Sequence, residues 1–167
     1  MVGVYDEEQT QGLQWLRRNV KLHSVTVLGP KDGKPITLDI TKGISRISPR
    51  FEDDTPAFLV DLEARASVKE NLSELDMNQT EDLRALQQAV SDSIKQTVTN
   101  TIRVMQKYRT DSAHLGNLIW GRYPLRWQNG LSANWSEQFA KAKFTIQVRT
   151  NIADVGLVNQ NVIRRSE

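Results

Sequence analysis

The most regular pattern of hydrophobic and polar positions lies between Asn78 and Arg109. Apolar side chains recur there every three or four positions, a spacing that lines one face of an α-helix. They are Leu83, Leu86, Val90, Ile94, Val98, Ile102, Met105 and Tyr108. Asn78 or Thr80 is the expected N-cap, and the acidic residues that follow suit the helix dipole. The pattern predicts one helix roughly 40 Å long, which depends on packing for its stability.

Alternation of apolar and polar residues predicts strands before and after this helix. Lys42 and Gly43 are expected to turn the chain between the second and third strands. The acidic segment 52–56 is expected to form a loop before the fourth. The predicted strands are 20–28, 36–41, 44–51, 57–69 and 144–152.

The segment after the predicted long helix is dense in aromatic residues and helix breakers. Tyr123-Pro124 and Gly130 are expected to divide it into short helices. The aromatic residues are Trp120, Tyr123, Trp127, Trp135 and Phe139. They could form a box for a small ligand, although aromatic side chains beside helix breakers more often fasten irregular helices to a core.

Together these elements predict an α+β fold. We expect a mostly antiparallel sheet of about four to five strands packed against a long helix and shorter helices. A chain of this length suits a single domain, here residues 1–167, with 1–11 and 159–167 loose.

The composition excludes several kinds of site. The chain has a net charge of +2 and no dense basic run, which argues against nucleic-acid binding. It contains no cysteine, which excludes disulfides, thiolate nucleophiles and zinc sites built on sulfur. No apolar run approaches the roughly 20 residues of a membrane span, and the first residues do not form a signal peptide, so a soluble piece is expected.

Candidate catalytic and metal-binding residues are few. His23 and His114 are far apart in the sequence and lack a ligand motif. Glu52, Asp53 and Asp54 lack the spacing of a calcium-binding loop and are expected to be solvated. We therefore expect no catalytic residue, no metal and no cofactor. The domain is predicted not to be an enzyme, a hydrolase with an unrecognised site being the remaining alternative.

Several motifs occur in a fixed order across nearly the whole chain. They are Gly12-Leu13-Gln14-Trp15-Leu16, Gln106, Asp111 with Gly116, Tyr123-Pro124-Leu125-Arg126-Trp127, Trp135 with Phe139, and Gly156-Leu157. Their order and spacing resemble the C-terminal domain of the C subunits of spore-germination nutrient receptors, the Ger(x)C lipoprotein family. One departure is Ala153-Asp154-Val155, where that family often carries basic residues and a threonine.

The resemblance implies a non-enzymatic protein-interaction domain. In that family the C subunit acts with the integral membrane A and B subunits of a nutrient germinant receptor to trigger germination. A lipid on an N-terminal cysteine anchors it to the outer face of the spore inner membrane. The anchor and the preceding domains would lie outside this fragment, and the resemblance supplies no catalytic residues.

The residues predicted to face a partner protein combine aromatic anchors with a polar rim. They are Arg122, Tyr123, Arg126, Trp127 and Trp135. The alternative function is a small-ligand-binding domain that uses the same Trp-rich segment.

Overall fold

The computed structural model describes residues 4–154. The described residues form two compact units, one made of 4–20, 45–62 and 95–147 and the other of 21–44, 63–94 and 148–154. The predicted loose tail 159–167 and the Gly156-Leu157 motif lie outside the described residues. A single domain over the whole chain stays a prediction.

Four strands and five α-helices make up the described fold. In chain order they are α1 (Glu7–Leu16), β1 (His23–Leu28), β2 (Pro35–Glu52), β3 (Thr55–Asn71), α2 (Thr80–Lys107), α3 (Gly116–Arg122), α4 (Pro124–Arg126), α5 (Trp135–Lys141) and β4 (Lys143–Asp154). A π-helical turn (Trp127–Leu131) and a 3-10 turn (Ser132–Asn134) lie between α4 and α5. The sheet order is β1-β2-β3-β4. The predicted α+β class is confirmed.

Strand β2 differs from the prediction because it is continuous over 18 residues. The expected turn at Lys42-Gly43 does not form, since the backbone stays extended there and the Thr41 hydroxyl donates to the Arg65 carbonyl 3.2 Å away. The chain turns instead at Asp53 and Asp54, whose φ angles are 49° and 63°. Positive φ at both central residues is typical of a tight hairpin turn. The turn is therefore shorter than the loop predicted for residues 52–56.

Helix α2 confirms the predicted apolar stripe over most of its length. The buried side chains are Leu86, Val90, Ile94, Val98, Ile102 and Met105. Leu83 is half-buried, and Tyr108, the last residue of the predicted stripe, is 55% exposed. The helix ends at Lys107, so Tyr108 no longer follows the helical spacing that would turn it inward.

In the first unit, α1 forms where the sequence predicted a loose lead-in up to residue 11. The Asp6 carboxylate accepts from the Gln9 amide, and the Gln9 side chain accepts from the Asp6 amide, so the two residues make a capping box. Gly12 lets α1 approach α2 closely. The hydroxyl of buried Thr101 donates to the Thr97 carbonyl at 2.9 Å and lies 3.3 Å from the Gln9 carbonyl.

In the second unit, β1 and β2 pair antiparallel, with His23 opposite Ile40 and Leu28 opposite Pro35. Asp82 lies in the first turn of α2, within this unit, and is buried. The Lys31 ammonium lies 2.7 Å from its Oδ1, and the Asp76 amide donates to its Oδ2 at 2.8 Å. The hydrogen bond from Lys31 is the main reason that the pKa of Asp82 lies below its ordinary value of 3.8.

Replacing Asp82 by asparagine is expected to lower the free energy of unfolding at neutral pH. Because the folded-state pKa lies below 3.8, the carboxylate contributes stability above that pH and loses it as the pH falls through the folded-state value. The difference between the Asp82→Asn variant and the parent protein should therefore shrink below pH 3.8. Urea unfolding of both proteins between neutral pH and a pH below 3.8 measures the difference in their free energies of unfolding. The neighbouring, exposed Glu81→Gln is the control, and a difference that does not change with pH would contradict the expectation.

Candidate functional site

The predicted site belongs to the first unit, where Gln106 ties the end of α2 to the end of α5. The Gln106 amide nitrogen donates to two backbone carbonyls, that of Phe139 at 3.1 Å and that of Ala142 at 2.9 Å. Phe139 is fully buried, and Ala142 ends α5 in an extended conformation. A single glutamine therefore bonds two carbonyls at the helix terminus, of which that of Phe139 also accepts from the Ala142 amide at 3.1 Å.

Asp111 organises the segment between α2 and α3. Its Oδ1 accepts from the Leu115 amide at 2.9 Å, and its Oδ2 accepts from the Gly116 amide at 2.8 Å. Oδ2 also accepts from the indole nitrogen of Trp135 at 3.0 Å. One carboxylate thus fixes the start of α3 and the orientation of the Trp135 ring.

Gly116 allows the two tryptophans to pack against the start of α3. The Trp127 and Trp135 ring centroids are 5.4 Å apart with an interplanar angle of 61°. A Cβ on Gly116 would lie 2.8 Å from Cη2 of Trp127 and 2.9 Å from Nε1 of Trp135. The absence of a side chain at this position is therefore required for the observed ring positions.

Aromatic packing continues from Trp135 into the core of the first unit. Phe58 stacks on Phe144 with centroids 5.2 Å apart, and Trp135 contacts Phe58 at 6.5 Å. Phe139 lies 5.8 Å from Trp135 and 6.2 Å from Phe144. Such edge-to-face and stacked pairs stabilise a fold beyond simple burial. Trp135 is accordingly half-buried and serves as a structural residue of this core.

Tyr123 and Arg126 form a second group of contacts, centred on Phe51. The Tyr123 ring meets Phe51 edge to face at 5.1 Å, and the Arg126 guanidinium lies 4.1 Å above the Phe51 ring. Arg126 also donates to Asp54 at 2.8 Å, and the Arg122 guanidinium lies 5.3 Å from the Tyr123 centroid. The two arginines are held against aromatic faces while remaining exposed.

Two large apolar side chains beside these arginines face water. Trp120, on α3, is 54% exposed and Leu125, on α4, is 71% exposed. We call the residues Trp120, Arg122, Tyr123, Leu125 and Arg126 the α3–α4 surface. An exposed tryptophan and leucine flanked by cations form the kind of patch that proteins use to bind other proteins.

The structure thus divides the five predicted partner-facing residues. Arg122, Tyr123 and Arg126 lie in the α3–α4 surface, whereas Trp127 and Trp135 are half-buried and pack on each other beside Gly116. Sequence reasoning did not single out Trp120 and Leu125 as exposed anchors. The only sequence signal was their position on helices too short to bury every apolar side chain.

Other candidate residues lie outside the α3–α4 surface. The Nδ1 atom of His23 lies 2.7 Å from the Lys21 carbonyl oxygen, and His114 is exposed. Glu52 pairs with Arg50 at 3.0 Å. Among residues 4–154 no group of three or more His, Asp or Glu side chains is arranged to hold a metal ion. Within the same range no helix has the length and apolar character needed to cross a membrane.

Comparison with known proteins relates the chain to spore germination. Residues 1–156 match the family model described as Spore germination B3/GerAC like, C-terminal. Spore germination protein YndF of Bacillus subtilis (strain 168) is 28% identical over 159 residues, which cover 95% of this chain and 39% of that protein. Spore germination protein B3 of the same organism is 25% identical over 168 residues, which cover 96% of this chain and 42% of that protein.

A solved structure shares the fold. The crystal structure of the GerBC protein matches with a TM-score of 0.80 and 23% sequence identity, over 92% of this chain and 47% of that chain. The chain therefore spans about two fifths of the length of the curated relatives it matches.

Proposed function

The chain belongs to the family of spore germination B3/GerAC-like C-terminal domains, and from this membership we propose that it is the protein-interaction domain of a nutrient germinant receptor C subunit. Its role is to act through protein contacts in triggering germination rather than to catalyse a reaction. The integral membrane A and B subunits are its partners. In the full-length subunit a lipid anchor outside this chain holds the domain at the outer face of the spore inner membrane.

The exposure of Trp120 and Leu125 is the observation that carries this proposal. Burial of a tryptophan and a leucine at an interface gains far more free energy than burial of the polar residues around them. The hydrogen bonds between Asp111 and the start of α3 hold the segment that precedes both side chains in place. Little conformational freedom of this segment is therefore lost on binding.

The charges of the α3–α4 surface define the chemistry of the partner. Arg122 lies between Trp120 and Leu125 in the sequence, Arg126 follows Leu125, and both arginines are exposed. Only one carboxylate, that of Asp54, pairs with either arginine among residues 4–154. A partner with an apolar recess bordered by acidic side chains would therefore complement it.

The alternative function, a small-ligand site built from the Trp-rich segment, has less support. The Trp127 and Trp135 rings pack against each other, and the Trp135 indole nitrogen already donates to Asp111. Space for a ligand between the rings would require separating them. Titration of the tryptophan fluorescence with a panel of nutrients distinguishes the two functions, because saturation with one nutrient would favour the ligand site.

Co-purification with the membrane subunits tests the proposal. We expect the Trp120→Ala/Leu125→Ala double variant of the full-length subunit to recover at least about tenfold less of the A and B subunits, since the loss of one hot-spot residue, about 2 kcal/mol or more, already weakens affinity by more than about tenfold. The matched control is Tyr108→Ala/Leu72→Ala, which removes an aromatic residue and a leucine that are each 55% exposed outside the α3–α4 surface. Equal recovery with both double variants would contradict the proposal.

A further inference from the structure

A cleft in the first unit is lined by none of the residues of the α3–α4 surface. It has a volume of about 470 Å³ and separates the end of α1 from the segment that leads into α3. Residues 16–19 form one wall and residues 113–118 form the other. Neither the family membership nor the proposed function assigns it a role.

The rim of the cleft consists of hydrogen-bond donors without a carboxylate among them. Arg17, Arg18 and Asn19 lie on one wall, and His114 and Asn117 lie on the other. All five side chains are exposed. Two guanidinium groups on one wall without an acidic residue in the lining create a positive potential in a concave site, which favours an anion.

Arg17 is fixed in the cleft rather than free to swing into solvent. Its Nε and Nη2 atoms both donate to the Ser112 carbonyl, at 2.9 and 2.6 Å. A guanidinium has five N–H donors, so three remain for a ligand. Because the contact joins the wall that carries Arg17 to the chain just before Ala113, it also sets the width of the cleft.

Arg18, the second arginine of the cleft, differs from Arg17 in having no side-chain partner among residues 4–154. Its backbone has a φ of 58°, the conformation that usually follows the end of a helix and favours glycine. No hydrogen bond or ion pair engages its side chain within this range.

The floor of the cleft is apolar. Leu16, Ala113 and Leu115 line it and are 2%, 8% and 1% exposed. Half-buried Leu118 extends this surface. An inorganic anion would bind only the polar rim, whereas an anion with a small hydrocarbon body would also cover the exposed part of Leu118 and the few exposed atoms of the other three side chains.

We infer that the cleft is a binding site for an organic carboxylate with a short apolar side chain. Arg18 and the free donors of Arg17 bind the carboxylate, and the half-buried side chain of Leu118 above the apolar floor contacts the apolar body. The same chemistry occurs in a free carboxylic acid and at the C-terminus of a polypeptide.

An NMR titration of the 167-residue chain with N-acetyl-leucine tests the inference. We expect saturable shifts of the amides of residues 16–19 and 113–118. N-acetyl-leucinamide has the same body without the charge and should cause no saturable shifts. The Arg18→Gly variant, which suits the positive φ, should weaken binding about tenfold or more through loss of a charge-assisted hydrogen bond. The matched control is Arg109→Gly, an exposed arginine with φ 51° after α2, which should leave the affinity unchanged.

The remaining results decide the source and the class of the ligand. A hexapeptide that ends in leucine and binds more tightly than N-acetyl-leucine would assign the site to a chain terminus, and equal affinity would assign it to a free carboxylate. Inorganic phosphate binding as tightly as N-acetyl-leucine would overturn the inference. So would the absence of saturation with every probe, or equal affinity of the Arg18→Gly variant and the parent protein.

Discussion

Replacing Gly12 by alanine is expected to destabilise the protein by about 2 kcal/mol, because a methyl group has no room between α1 and α2. A Cβ on Gly12 would lie 2.0 Å from Oγ1 and 2.8 Å from Cβ of Thr101, and 3.0 Å from the Thr97 carbonyl oxygen. Relief of this clash requires Thr101 to give up its hydrogen bond to Thr97 or the helices to separate. The gain of about 1 kcal/mol from alanine in a helix is smaller than this cost.

Gly121→Ala is the matched control for this substitution. Gly121 lies within α3, and a Cβ there would have no atom within 4 Å. It should leave the free energy of unfolding unchanged or raise it by up to about 1 kcal/mol. Urea unfolding measures both variants. The loss from Gly12→Ala should also be smaller in a Thr101→Ala background, and an equal loss in both backgrounds would show that the close helix contact is not its cause.

Replacing Asp111 by asparagine is expected to destabilise the protein by about 3 kcal/mol, since hydrogen bonds to a charged acceptor contribute about 1.5–3 kcal/mol each. The carboxylate accepts from the Leu115 and Gly116 amides and from the Trp135 indole. An amide side chain keeps one acceptor oxygen and points an N–H group at the remaining donors. The start of α3 and the Trp135 ring should both lose their fixed positions.

Asp54→Asn provides the comparison, because the Asp54 carboxylate is 90% exposed and makes one ion pair, to Arg126. An exposed pair of this kind contributes about 1 kcal/mol at most. Urea unfolding followed by tryptophan fluorescence measures stability and the surroundings of Trp135 together. Similar losses for Asp111→Asn and Asp54→Asn would contradict the structural role of Asp111.

Periodicity was sufficient to predict the elements that are long and amphipathic. Helix α2 and the buried face of β3, which carries Phe58, Val60 and Leu62, follow directly from their spacing. The continuity of β2 could not be predicted. Lys42-Gly43 is a typical turn sequence, and its extended conformation depends on pairing with residues that are distant in the sequence. Helix α1 was missed although its capping box, Asp6 with Gln9, is a local signal, and its contact with Thr101 depends on a residue that is distant in the sequence.

The sequence identified the segment that carries the candidate site, but it did not show which side chains of that segment are exposed. The aromatic residues between Trp120 and Phe139 were visible in the sequence, but their exposure depends on contacts made elsewhere. Trp135 is drawn inward by Asp111 and Phe58, whereas no comparable contact buries Trp120. Which aromatic side chain faces a partner is therefore decided by tertiary packing, which spacing along the chain does not encode.

Germination of spores carrying the Trp120→Ala/Leu125→Ala variant in their only copy of the full-length subunit tests the receptor role most directly. Loss of refractility would be followed after a nutrient and, separately, after calcium dipicolinate as a stimulus independent of the receptor. We predict a much slower response to nutrient, a normal response to calcium dipicolinate and normal germination of spores with Tyr108→Ala/Leu72→Ala. A nutrient response as fast as that of unaltered spores, with the variant subunit present by immunoblot, would contradict the proposed role of the α3–α4 surface.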